Sequence, residues 1–292
     1  MAELQAIRSR QQAGERVDPV IVLAYAPAWA AAKAGGCEKP GAGPASRPLN
    51  QRGFDAYQTL IRQILSVGLG VGIALPYWSP WNEPNHPTFM TQRQVCQRSA
   101  PAISPQTYSA LTQAMQRALA GSSHRLIIGE LAGFQRSSPT ETSVSEFIAA
   151  LPSALICQSS IFAVHDYFGS NGRSLAASTA AVSLTESALA AKGSCGSRLA
   201  IWVTESGSGS TRRTTQVAAA RARACGAFAA ALGEWYRDPR VRAVFQYTFR
   251  EDPLFPIGLY SNSLYQRFPS YSLLASWARN PGQPPSAAAC HG

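Results

Sequence analysis

Apolar residues along the chain fall into short β-branched runs separated by longer stretches in which they recur every three or four positions. The runs bounded by turn signals predict strands at about 19 to 25, 77 to 82, 125 to 130, 160 to 167, 199 to 205 and 242 to 249. Between them the period becomes helical. Phe54, Tyr57, Leu60, Ile61, Ile64 and Leu65 share one face. Ser104-Pro105 reads as an N-cap followed by proline at the first helical position, and Tyr108, Leu111, Met115 and Leu119 continue at helical spacing until Gly121. Further helices are expected over Ser143 to Leu151, Leu175 to Ala191 and Thr214 to Tyr236, and residues 1 to 16 read as a polar helix. Strand and helix alternate every ~35 to 45 residues, the mark of parallel βαβ units.

A doubly wound sheet would show the same alternation. The residues at the strand ends decide between the two. Glu83 closes Trp78-Ser79-Pro80-Trp81-Asn82-Glu83, His165 and Tyr167 close the fourth run, Glu205 closes Leu199-Ala200-Ile201-Trp202-Val203-Thr204-Glu205, and Phe249-Arg250 follows the last. Polar chemistry gathered at strand C-termini is the arrangement of a (β/α)8 barrel, which places its active site there. Two glutamates so placed are also what glycosidic cleavage needs: one carboxyl protonates the leaving oxygen, and the other attacks the anomeric carbon or activates water.

Asn-Glu-Pro at one strand end and a lone Glu three βα units later resembles clan A of the glycoside hydrolases, a superfamily of TIM-barrel enzymes that includes cellulases and xylosidases. The resemblance covers roughly residues 19 to 260. It implies Glu83 as general acid/base and Glu205 as nucleophile of a retaining mechanism. It further implies that Asn82 bonds the sugar 2-hydroxyl, and that Tyr167 and His165, in His165-Asp166-Tyr167, orient the nucleophile. If the Asn-Glu-Pro strand is the clan's fourth, only one strand precedes it, so six strands stand where eight are expected. The fold expected is therefore an incomplete (β/α)8 TIM barrel lacking its first two βα units, from a protein that begins roughly 50 to 70 residues earlier at about 30 to 45 residues per unit. One domain over residues 1 to 279 and a Pro- and Ala-rich tail over 280 to 292 are expected, the tail packing little unless Cys290 is bridged.

Aromatic faces stack on pyranose rings, which makes Trp29, Trp78, Trp81 and Trp202 candidate platforms against a default of core packing; Trp29 and Trp78, at strand ends, are favoured, and Phe249 joins them after the last strand. His165 and Tyr167 lie on one face of their strand by alternation. Glu130 is as well explained by a salt bridge as by sugar contact.

Other chemistries are weakly supported. Ser206-Gly207-Ser208-Gly209-Ser210 does not fit a nucleophile elbow and reads as a flexible turn. No phosphate loop or dinucleotide fingerprint occurs, and His86, His124, His165 and His291 lack metal-site spacing, so no cofactor and no metal is expected. The net charge of +10 is almost all arginine, since only Lys33, Lys39 and Lys192 are lysines, and it is scattered. That pattern reads as genomic composition bias of a bacterial source, so no nucleic-acid partner is expected. No apolar run approaches the ~18 residues of a membrane span. The expectation is a monomer that meets a carbohydrate substrate.

The six cysteines show no Cys-x-x-Cys spacing. Cys37 and Cys96 lie in loops after strands, Cys157 and Cys195 just before strands, and Cys225 and Cys290 in the helix after Glu205 and in the tail. Of the fifteen connectivities open to six cysteines, pairing by barrel end favours the first two pairs, Cys225 and Cys290 make a third possible one, and the even count favours an extracytoplasmic, secreted protein. Two other classes stay open: a non-catalytic carbohydrate-binding remnant of such a barrel, and a polyanion-binding protein.

Overall fold

The computed structural model describes residues 2–169, 180–209, 217–252 and 255–291. They belong to two compact units, one formed by Met1–Ala163 with Ser187–Leu199 and the other by Val164–Glu186 with Ala200–Gly292. Six strands are found among the described residues: β1 Val20–Val22, β2 Tyr77–Ser79, β3 Arg125–Ala132, β4 Ile161–Gly169, β5 Ala200–Gly209 and β6 Val241–Gln246. They form a parallel sheet in the order β1-β2-β3-β4-β5-β6. Strands that neighbour one another in sequence order without reversal give the strand order of a (β/α)8 barrel. A doubly wound sheet reverses direction and covers both faces. The topology is therefore that of an incomplete (β/α)8 barrel, six of the eight strands that close one.

All six runs read from the sequence are strands, but their lengths differ. β1 and β2 stop well before Tyr25 and Asn82. At the end of β1 the chain turns through Tyr25, whose φ is 62°, and β2 meets Pro80, which has no N–H for the ladder. β5 runs on through Gly209, so Ser206 to Gly209 is strand rather than the expected flexible turn, while Ser210 lies outside the described residues. The Ser206 hydroxyl donates to the Phe245 carbonyl at 2.7 Å, tying that stretch to β6.

In the first unit, α1 Ala2–Gln12 is followed by α2 Gln51–Val71, α3 Ser104–Ala118, α4 Val144–Ala150 and α5 Ser153–Cys157. The Asn50 side chain caps α2 by accepting from the Gly53 amide, and Gly72 ends it in the left-handed region at φ 77°. Ser104 does not cap α3. It is already helical, and its hydroxyl donates to Gln92 Oε1 at 2.8 Å. Tyr108, Met115, Leu119, Ile127, Phe147 and Phe162 form the fully buried centre. Gly129, at φ 103°, lies against the Phe162 ring, where a Cβ would come within 2.7 Å of it.

The end of α6 Ala180–Ala190 and α7 Ser194–Arg198 complete this unit. The second unit packs α8 Val217–Arg237 and α9 Pro269–Arg279 around Phe168, Phe228, Leu232 and Leu273. The expected helices over 175–191 and 214–236 include residues 175–179 and 214–216, which lie outside the described residues.

Cys37–Cys96, Cys157–Cys195 and Cys225–Cys290 are disulfides, the first two the pairings expected by barrel end and the third the possible pair of helix and tail, and no cysteine is left over. The tail is consequently held: Cys290 is buried in a short 3-10 turn over Ala287–His291 and bridged to α8. Three bridges fit an oxidising, extracytoplasmic setting. Among the described residues no helix is long and apolar enough to cross a membrane.

Candidate active site

In the first unit the site is built on the turn that leaves β2. Asn82 and Glu83 are half-buried, and Glu83 sits at φ 39°, a conformation uncommon outside glycine and worth about 1–3 kcal/mol of strain. The surrounding backbone is pinned at nearly every residue. The Asn82 amide donates to the Leu23 carbonyl at 2.9 Å, carrying the β1–β2 pairing beyond the strands. The buried Tyr57 hydroxyl donates to the Pro80 carbonyl at 2.7 Å, and the Gln92 side-chain Nε2 donates to the Pro84 carbonyl at 3.0 Å. The His86 amide closes the turn by donating to the Glu83 carbonyl at 2.9 Å.

Asn85 is wholly buried and was not singled out from the sequence. Its side-chain nitrogen donates to the carbonyls of Ala132 at 2.8 Å and Thr142 at 3.0 Å, and its oxygen accepts from the Ala132 amide at 2.8 Å. A second unforeseen residue, His86, stacks on Phe134 with ring centres 5.4 Å apart. Burial lowers its pKa, against opposing effects from Glu83 and Glu141, while Lys39 adds to the lowering. The Thr88 amide donates to Nδ1, so the neutral ring carries its proton on Nε2.

In the second unit β4 and β5 bring His165, Tyr167 and Glu205 together. The Tyr167 hydroxyl donates to Glu205 Oε2, and His165 Nδ1 lies 3.5 Å from the same oxygen. His165 is buried, whereas about a quarter of the Glu205 side chain, 23%, stays accessible. Alternation along β4 puts His165 and Tyr167 on one face, and a bulge presents Glu205 to them. Val203 pairs with Val244 and Ser206 with Gln246, so three steps on β5 match two on β6 around Thr204 and Glu205. Tyr167 is packed edge-on against Phe255 at 4.9 Å and Tyr247 at 6.2 Å, which pair with each other at 5.9 Å. Neither ring was foreseen, because only the third dimension puts the segment after β6 beside β4.

The aromatic candidates separate by exposure. Trp29 is 52% exposed, with the Arg52 guanidinium 5.1 Å from its ring centre, and Phe249 is 61% exposed on the Tyr260 ring. Trp78 is 0% exposed, with its indole N–H donating to the Leu75 carbonyl, and it therefore offers no face to a sugar. Its strand-end position misled the sequence expectation because the side chain turns into the core. Trp81 and Trp202 are buried as well, the former donating to the Phe89 carbonyl and the latter packed on Phe245.

No protein-family model and no curated protein matches this chain. Solved structures do. GH10 from Paenibacillus barcinonensis superposes with a TM-score of 0.59 at 14% identity over 96% of this chain and 81% of that one. The glycoside hydrolase family 30 subfamily 8 xylanase Xyn30A from Clostridium acetobutylicum gives 0.57 at 15% identity over 95% and 59%, so the chain spans less than two thirds of that protein. The endo-1,4-beta-xylanase XylE of Penicillium canescens gives 0.53 at 17% identity over 80% and 68%. At such identities the likeness is one of fold: this chain has the β/α-barrel architecture on which those glycoside hydrolases are built.

Proposed function

We propose that this protein is a retaining glycoside hydrolase that cleaves O-glycosidic bonds of an oligo- or polysaccharide by double displacement, with Glu205 as nucleophile and Glu83 as general acid/base. The observation that carries it is the Glu205 carboxylate at the bulge within β5, accepting the Tyr167 hydroxyl with His165 Nδ1 at 3.5 Å. Donors aimed at a carboxylate favour its ionised form, which is what a nucleophile needs.

In the first step a Glu205 oxygen bonds to the anomeric carbon as the bond to the leaving oxygen breaks, and Glu83 gives that oxygen its proton. In the second, Glu83 takes a proton from water, whose oxygen bonds to the anomeric carbon and releases Glu205 with net retention. The mechanism requires the two carboxyls about 5 to 5.5 Å apart. Asn82, beside Glu83, is assigned to the sugar 2-hydroxyl, and the exposed rings of Trp29 and Phe249 to its apolar faces. The barrel neighbours, several bearing names of xylan-cleaving enzymes, make carbohydrate the first substrate class to test.

The test is hydrolysis of a panel of aryl β-glycosides by the protein, Glu205→Ala and Glu83→Ala. Glu205→Ala should lose turnover of every substrate. Glu83→Ala should retain kcat/KM on glycosides of acidic phenols, which depart without protonation, and lose it on those with alkyl leaving groups. A slow-reacting 2-fluoro glycoside should add one glycosyl mass to the peptide holding Glu205. Glycan binding with no turnover by the unmodified protein would overturn the enzyme reading and favour a carbohydrate-binding remnant.

A further inference from the structure

The geometry points to Asn85 as a positioning residue that holds the general acid/base, Glu83, in its working orientation; this rests on the glycosidase reading above. Asn85 has no exposed surface, and each of its three hydrogen bonds crosses to a segment remote in sequence. Two go to the backbone of Ala132, the last residue of β3, as donor and acceptor at once. The third goes to the Thr142 carbonyl ahead of α4. A carboxamide is the side chain that answers this set, with two N–H donors and one carbonyl acceptor in a single plane.

Its place in the turn gives these bonds their consequence. Asn85 stands two residues after Glu83 and is separated from it by Pro84, whose ring restricts both its own φ and the backbone of Glu83 before it. Glu83 is left-handed at φ 39°, a conformation that persists only where the surroundings enforce it. Asn85 clamps the outgoing side of the turn to β3. On the same side Gln92 donates to the Pro84 carbonyl and is itself held by the Ser104 hydroxyl. Loosening Asn85 therefore moves Glu83 without touching Glu205, which is held by Tyr167.

The experiment compares Asn85→Ala and Asn85→Asp with the unmodified protein and Glu83→Ala on two glycosides of one sugar, one with a dinitrophenolate and one with an alkyl leaving group. Asn85→Asp keeps the acceptor for the Ala132 amide and removes the amide donors, which separates loss of the clamp from loss of volume. Misplacing a catalytic group by about 1 Å costs about 10²-fold. In kcat/KM, which reports the leaving-group step alone, both variants should therefore lose roughly 10- to 100-fold more on the alkyl glycoside than on the activated one, with the rate of Glu205 labelling by a 2-fluoro glycoside preserved. Equal losses on both substrates, alongside a clear split in Glu83→Ala, would show a merely structural asparagine and overturn the inference alone. No split in Glu83→Ala, or no hydrolysis by the unmodified protein, would remove the glycosidase reading and the inference with it.

Discussion

Tyr167 and Glu205 are 38 residues apart in sequence yet share a hydrogen bond; Tyr167 owes its place to the two-residue period of β4, and Glu205 to the bulge that interrupts that period in β5. Removing the phenol oxygen tests how much this contact contributes. Tyr167→Phe keeps the ring that packs against Phe255 and Tyr247, so stability should change little while kcat/KM falls by about 10²–10³-fold, the usual loss for one preorganised donor in an active site. Steady-state rates on an aryl glycoside, read beside a thermal melt, check this, and an unchanged rate would remove Tyr167 from the machinery. Glu83 and Glu205 stand out as candidates in the sequence because each carboxylate ends an apolar run, and His165 and Tyr167 because His165-Asp166-Tyr167 resembles the clan's strand motif. Trp78 was misjudged for the converse reason: a tryptophan suits the core and a sugar platform equally, and only its burial decides.

Among the elements, the long connection between β2 and α3 is held by a charge pair that no pattern announced. Arg93, wholly buried, forks onto both oxygens of Glu146 at 2.9 Å each, and Ser137 donates to the same carboxylate. Burial pushes the Glu146 pKa up, but the hydrogen bonds from Arg93 and Ser137 and the charges of Arg93 and Arg98 outweigh it and hold the carboxyl below its usual value. A folded pKa below the unfolded one contributes stability that is complete above the unfolded value of about 4.5 and is lost as pH falls through the folded one. Glu146→Ala leaves the Arg93 charge buried with the Ser138 carbonyl as its one remaining hydrogen-bond acceptor. It should therefore cost about 2–4 kcal/mol at pH 7, toward the low side of a broken buried pair because Glu146 is partly exposed. Urea midpoints at pH 7 and pH 3 should show that difference narrowing in acid. A gap of the same size at both pH values would assign the loss to packing alone.

At the scale of the whole molecule the disulfides tie distant parts of each unit. Cys37–Cys96 and Cys225–Cys290 close loops of 59 and 65 residues, and Cys157–Cys195 one of 38. Chain entropy assigns about 4 kcal/mol to loops of this size, with about 2–4 the usual yield. Cys290→Ser should free the C-terminal turn from α8 and lower the thermal midpoint by roughly 5–15 °C, at about 2–4 °C per kcal/mol for units of this size. The matched Cys225→Ser should do the same, and the double variant no more. Losses that add in the double variant would show that the two cysteines act separately.

The sequence by itself determined the number and order of the strands, because these follow from local period and turn residues, and it favoured, among fifteen connectivities, the three disulfide pairings that the structure contains. Tertiary structure decided the rest. It alone fixed which tryptophans face solvent, where the β5 bulge turns Glu205, how Tyr247 and Phe255 back Tyr167, and how Asn85 and Gln92 brace the left-handed Glu83. Side-chain direction at a strand end and hydrogen bonds to backbone atoms about 50 residues away depend on a neighbour's position, and no local pattern encodes that.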